Sequence, residues 1–281
     1  MQNYYLFRFK VIESQQRPLF GSSLPRSEFI RTLINKKPSK EIRNGYEWHL
    51  GNIEAIGQEG LRFAIGRITK ASKEKYDEKT GNFSEVNDEV APFTYALLDI
   101  EMSLIAIALK TKLSPTAKGI AHSLEKLLNS QSEVQENEVR IELAEITDPD
   151  TFIQQMEDAY SVIGFTVEFS GPNPFDVDKD FHQPMEKYLA ATAGEKGVTT
   201  IRGENLDKGS LEKMARSVAS TGNQAKARIK KNKDSKAITK QMKGNPIVVQ
   251  VEDVNDDIKA KGLLIKLREA YERIRKRNKD D

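Results

Sequence analysis

The chain has no cysteine. That absence excludes a disulfide framework, a thiol nucleophile, an iron–sulfur cluster and a thiolate zinc site. Histidine is nearly as scarce: His49, His122 and His182 stand far apart and make no HxxxH or HExxH pair that would set two ligands on one helical face. Long apolar runs are missing too, and none approaches the roughly 18 residues of a membrane span, so no membrane insertion is expected. The opening MQNYYLFRFK has no basic, then apolar, then small-residue order of a secretory signal, and the expected location is cytoplasmic. No GxxxxGK[ST], no GxGxxG after a strand and no GxSxG elbow occurs, so the reading is free of cofactors.

What remains is a 281-residue chain, 31% charged with a net charge of only +2, long enough for one large or two ordinary domains. The charge is unevenly spread. Between residues 133 and 180 thirteen acids face only Arg140 and Lys179, whereas between 202 and 243 twelve bases face Glu204, Asp207, Glu212 and Asp234. Such asymmetry points to a polyanionic partner. It also allows the acidic stretch to shield the basic one, within a chain or across a dimer, or simply to be a solvated surface.

Hydrophobic periodicity predicts strands at 4–12, 46–56, 61–69, 91–100, 102–111, 139–146, 160–169, 197–204 and 246–251, with a hairpin turn at Gly57-Gln58-Glu59-Gly60. Helices are expected after Leu24-Pro25-Arg26, after Ser114-Pro115-Thr116, after Thr147-Asp148-Pro149-Asp150, over 180–193, over 206–222 and at the C-terminus. Residues 70–90 are polar without an apolar period and read as an exposed loop, and 130–138 as a polar linker. The expected fold is α/β or α+β, in two lobes of mixed sheet with packed helices, 1–132 and 133–281. Ile258, Leu264, Ile265, Leu267, Ala270, Tyr271 and Ile274 form an apolar stripe on the last helix, suited to a homodimer contact or to docking within its own chain.

The strongest functional signal is Gln224 to Lys233 with Lys236, Lys240 and Lys243 behind it. In extended backbone, Lys226, Arg228 and Lys230 share one face while Ala225, Ala227 and Ile229 take the other. Together with Lys231, Lys233, and Lys213 and Arg216 on the preceding helix, this ladder would hold phosphates by counterion release. The bland alternative is an edge strand kept soluble by lysine. A second basic set, Arg17, Arg26, Arg31, Lys36, Lys37, Lys40 and Arg43, either extends the groove or is an ordinary solvated face. Aromatic residues are sparse in the C-terminal basic region, which argues against base stacking, and no sequence-reading motif occurs. Double-stranded DNA is the expected partner, with RNA second, bound through phosphates without base readout.

The enzyme alternative is a Mg²⁺-dependent nuclease or abortive-infection effector built on Asp99 and Glu101, two apart at a strand end. Val167-Glu168-Phe169-Ser170 has serine where a restriction-like ExK motif needs lysine. A third reading is a scaffold that holds a protein partner through opposite charge.

Phe93 to Glu101 and Ser103 to Leu109, followed by Ser114-Pro115-Thr116 and a helix, resemble the phage-exclusion RexA family. Val139 to Leu143, Phe165 to Phe169 with its proline-containing exit, and the basic C-terminal helix continue the resemblance, which spans about 91–176 and 258–281. It implies a two-domain α/β protein that dimerises and clamps duplex DNA with little sequence preference in phage exclusion or anti-phage defence. RexA-like proteins are in turn similar in fold to ring-forming recombination regulators that bind DNA without cutting it. The lysine-rich segment has no counterpart in that pattern and comes from charge alone.

Overall fold

The computed structural model describes residues 1–13, 25–170, 182–192, 194–251 and 257–276. Arg17, the proline-containing exit at 171–174, the acidic turn at 252–256 and the last basic residues lie outside them. In chain order the elements are β1 (Gln2–Glu13), α1 (Arg26–Asn35), β2 (Ser39–Arg43), β3 (Tyr46–Ile56), β4 (Gly60–Asp77), β5 (Asn82–Val90), β6 (Phe93–Asp99) and β7 (Leu104–Ala108). Then follow α2 (Ala117–Leu128), α3 (Ser132–Glu136), β8 (Val139–Glu145), α4 (Asp150–Glu157), β9 (Ser161–Ser170), α5 (His182–Ala191) and β10 (Lys196–Arg202). The last are α6 (Lys208–Ser220), β11 (Ala225–Lys230), β12 (Ile238–Gln241), β13 (Val248–Val251) and α7 (Asp257–Arg275).

The large sheet runs β13-β1-β7-β6-β4-β3-β2, with β5 beside the outer part of β4 and β8 beside β1; the small sheet runs β10-β9-β11-β12. Every pairing described is antiparallel, which places the mixed fold on the α+β side of the expectation. The sheets do not part at residue 132, because β8 and β13 from the second half both hydrogen-bond to β1.

Period-2 alternation in the central strands sorts their side chains between two cores. Phe7, Phe9, Phe63, Ile105 and Ile107 face one side, where α1 and α2 bury Ile30, Leu33, Ile120 and Leu124 against them. Tyr4, Leu6, Leu97, Leu104 and Ala106 face the other, beneath α4, α6 and α7 and the inner face of the small sheet, Val162, Phe165, Val167, Ala225, Ala227 and Ile229. Since both faces of β1, β6 and β7 are buried, these strands read as nearly continuous apolar runs.

Beneath the second layer β1 carries two cations with no exposed surface, Arg8 and Lys10. The Arg8 guanidinium donates to the Ser220 carbonyl at 3.0 and 3.2 Å, to the Met102 carbonyl at 2.5 Å and to the Tyr271 hydroxyl, and lies 4.6 Å from the Tyr271 ring centre. It thereby supplies positive charge at the C-terminal end of α6, where carbonyls lack helical partners, and ties β1 to α6 and α7.

Two sequence expectations change, and one pair of alternatives is decided. Residues 70–90 are not a loop: β4 continues to Asp77 and pairs with β5 from Thr69↔Val90 to Asp77↔Asn82, a two-stranded ribbon with Tyr76 against Phe83 at its end. The apolar period is missing because the ribbon has no core beneath it, and cross-strand pairs such as Lys73 with Asp88 replace burial. The linker at 130–138 contains α3, whose Val134 enters the first core. On α7, Ile265 is 57% exposed while Leu263, Leu264, Leu267, Tyr271 and Ile274 are buried under the rest of the chain. Most of the apolar stripe thus docks within its own chain, the second of the two readings given for it.

Candidate nucleic-acid interface

The lysine-rich stretch does form a strand, and its alternation is as read: Ala225, Ala227 and Ile229 are buried, Lys226 and Arg228 are exposed and Lys230 is half-buried. The cause is local. Alanines at every second position let α6 pack closely on the inner face through Ala215, Val218 and Ala219, so the cations must point away. Antiparallel register then builds the outer face row by row. Arg228 lies opposite Gly164 of β9, which lies opposite Arg202 of β10; Lys226 lies opposite Thr166, which lies opposite Thr200. The two threonine hydroxyls are 3.0 Å apart.

Glu168 sits on this face two residues from Thr166, at the end remote from the β11–β12 turn. That turn carries Lys231, Lys233 and Lys236, all exposed. Positive charge therefore rises from Glu168 toward the turn. Among the described residues no side-chain hydrogen bond or ion pair holds Arg202, Lys226, Arg228 or Lys230. Of the acidic 133–180 stretch, Glu142 meets Lys10 and Arg140, Glu145 meets Lys118, and Asp150 meets Arg216, whereas Asp176, Asp178 and Asp180 lie outside the described residues.

Some predicted residues lie elsewhere. Lys240 pairs with Ala227 and so belongs to the opposite side of the sheet from Lys226. Lys213 is exposed, but on α6, the helix that covers the inner face. Arg216 is spent on structure: it meets Asp150 at 2.9 Å and Glu212 at 2.9 Å and donates to the Ile274 carbonyl at 3.5 Å. It lines a cleft of about 960 Å³ between α4, α6, β13 and α7, where Asp150, Glu212 and Glu269 alternate with Arg216, Lys266 and Arg273. The α1 members of the second basic set do not extend the ladder either, because α1 packs on the far face of the large sheet. Arg26 donates to the Phe9 carbonyl, Arg31 to the Gln58 carbonyl, and Lys36 meets Glu133.

Asp99 and Glu101 do converge, though on a cation of the chain itself. Arg268 of α7 reaches Asp99 at 2.5 Å, Glu59 at 2.7 Å and Glu101 at 3.3 Å; Asp99, fully buried, also accepts from the Met102 amide at 2.9 Å. The reason is physical: a carboxylate out of water needs a paired charge, and the pairing raises the Arg268 pKa above its ordinary value, chiefly through the Asp99 hydrogen bond. Among the described residues no group of three His, Asp or Glu side chains is placed to hold a metal ion.

Lys10 marks the seam between the sheets. Its ammonium lies 3.0 Å from the Ser170 hydroxyl, 3.4 Å from the Asn223 side-chain oxygen and 3.6 Å from Glu142. Burial pulls its pKa down to about 8, with Arg8 and Lys196 acting in the same sense and Glu142 opposing. Because the unfolded chain keeps its proton up to about 10.5 and the folded one releases it near 8, folding stability rises between those values and is flat in this group below them. The expected gain is roughly 3 kcal/mol across that window. Urea midpoints at pH 7.5 and 10 should show the rise, and Lys10→Met should remove it.

Arg202 and Gly164 were not among the predicted site residues. Only the alternation of Thr200 and Arg202 hinted at them, since a strand's neighbour and register are not written in its own residues. No protein-family model and no curated protein matches the chain. Among the described residues no helix is long and apolar enough to cross a membrane.

Proposed function

We propose that the protein binds duplex DNA without sequence preference through the outer face of the small sheet and the β11–β12 turn, with Arg202, Lys226, Arg228, Lys230, Lys231, Lys233 and Lys236 meeting phosphates. The observation that carries this reading is a row of cations, mostly exposed, with no side-chain partner among the described residues, on a sheet whose other face is core. Protein interiors and surfaces ordinarily pair or disperse like charge; a clustered, unpaired set is an electrostatic footprint for a polyanion. Among the described residues the outer face of the sheet carries Val198, the two threonines and polar side chains and no aromatic ring for base stacking, which favours backbone contacts to a duplex over a single strand. The resemblance to the RexA family points the same way and carries the suggestion of phage exclusion with it.

Fluorescence anisotropy with labelled duplex DNA, single-stranded DNA and RNA of matched length, titrated over several salt concentrations without metal, tests this. Binding strongest to duplex and steeply weakened by salt is expected. Absence of binding at low salt would discard it and put the protein-scaffold reading first.

A further inference from the structure

We infer that the free edge of β13 is a docking strand for a partner protein, taking an extended peptide with lysine or arginine at every second residue. The site is separate from the proposed DNA surface. β13 is the terminal strand of the large sheet. The Leu6 amide donates to the Ile247 carbonyl and the Leu6 carbonyl accepts from the Ile146 amide, so the even-numbered residues of β1 turn their backbone groups toward this side. Gln2 and Tyr4 therefore bond to the residues opposite them, Val251 and Val249. The alternate residues Val248 and Gln250 point their amides and carbonyls away from β1, where none of the described residues pairs with them. Such a row accepts another strand, and proteins ordinarily guard it with charge. Every other described strand at a sheet margin carries charged residues, from Lys40 in β2 to Lys240 in β12, whereas β13 reads Val-Val-Gln-Val.

This edge opens on the cleft of about 960 Å³ between α4, α6, β13 and α7, which Val248 and Gln250 line along with Val249. Val249 packs on the second core, so the side chains of Val248 and Gln250 leave the opposite face of the sheet. Their place in the lining means that the cleft reaches the backbone edge itself. A strand laid there puts every second side chain between α4 and α7, over the buried Ile153 and Ile274 and beside the exposed carboxylates Glu157 and Glu269. Lysine and arginine suit that lining, because their aliphatic stems cover apolar surface while the charge reaches a carboxylate. Carboxylates outnumber cations in the cleft by five to three. Three of the five, Asp148, Asp150 and Glu157, come from the acidic stretch of the sequence that DNA binding leaves unused. Such a lining disfavours a polyanion and favours a cationic chain. An edge strand beside a helix-walled groove takes extended peptides, with main-chain bonds supplying affinity and alternate side chains specificity.

The probe is a fluorescein-labelled heptapeptide of alternating threonine and lysine, followed by anisotropy at moderate salt. Saturable binding is expected, and a twin with glutamate in place of lysine should bind at least about tenfold more weakly. Gln250→Pro removes one outward amide from the edge and breaks no bond to β1, since proline is tolerated where the amide faces solvent. It should lower affinity about tenfold, whereas Gln250→Ala, which keeps the amide, should bind as the parent does. Duplex DNA affinity should be the same in all three proteins. The parent should show an equal loss with a peptide N-methylated at its threonines, the residues that stand opposite Val248 and Gln250, and this measurement decides if Gln250→Pro does not fold. Absence of saturable binding by the lysine peptide overturns the proposal. Binding that survives both the proline and the N-methylation, or equal affinity for the glutamate twin, overturns it as well.

Discussion

Lys226→Glu combined with Arg228→Glu is expected to weaken binding to every duplex alike, by on the order of 10- to 100-fold at moderate salt, and to lower the salt slope by about two. Both side chains leave the sheet on its solvent side and neither contributes to the core, so the substitutions alter charge while Ala225, Ala227 and Ile229 keep α6 in place. Thermal unfolding should therefore stay within about 0.5 kcal/mol of the parent. The same double substitution on Lys213 and Lys240 is the informative control. Those residues contribute equal formal charge from the other side of the small sheet, and long-range attraction alone would make the two variants equivalent. A larger loss for Lys226 and Arg228 places the contact on the outer face; equal losses would mean that net charge, and no particular surface, drives binding.

Arg268→Met is expected to destabilise the fold by about 3–5 kcal/mol, because it leaves Asp99 buried without its counter-charge. For a chain of this size that corresponds to a fall in the thermal midpoint of at least about 6 °C. Arg268 also joins Glu59 in the β3–β4 turn and Glu101 after β6, so its loss loosens α7 from the large sheet along with the carboxylate. Asp99→Asn in the Arg268→Met background should recover part of the loss, since a neutral amide still accepts the Met102 amide proton without stranding a charge. A nuclease centred on Asp99 and Glu101 makes the opposite forecast, with Mg²⁺ raising the midpoint of the parent and activity vanishing in Asp99→Asn. The geometry of Arg268 over the pair argues for the structural outcome.

Most helices and the central strands were legible in the residues, and for a common reason. β6, β7, α2 and α6 each carry an apolar period dense enough to declare their type, with Thr116 and Asp207 capping the two helices through side-chain oxygens. The ribbon of β4 and β5, the short strands β2 and β12, and α3 escaped because they bury little and are held by pairing with neighbours. Arg216 shows the same limit within the site. Its charge marked it as a phosphate ligand, whereas its position between Asp150 and Glu212 makes it a bridge between α4, α6 and the end of α7.

Composition and local pattern were enough to establish a mixed α and β chain without thiol chemistry, with an acidic stretch preceding a basic one and a cationic strand whose alternate residues are small and apolar. Those properties depend on residue identity and on spacings of two to four positions. Which cations share a surface depended on the folded chain. Antiparallel register set Arg202 across Gly164 from Arg228, moved Lys240 to the opposite side, and delivered Arg268 to Asp99 across 169 residues. Register and layer order are decided by burial of both cores at once, a balance over the whole chain that no single segment contains.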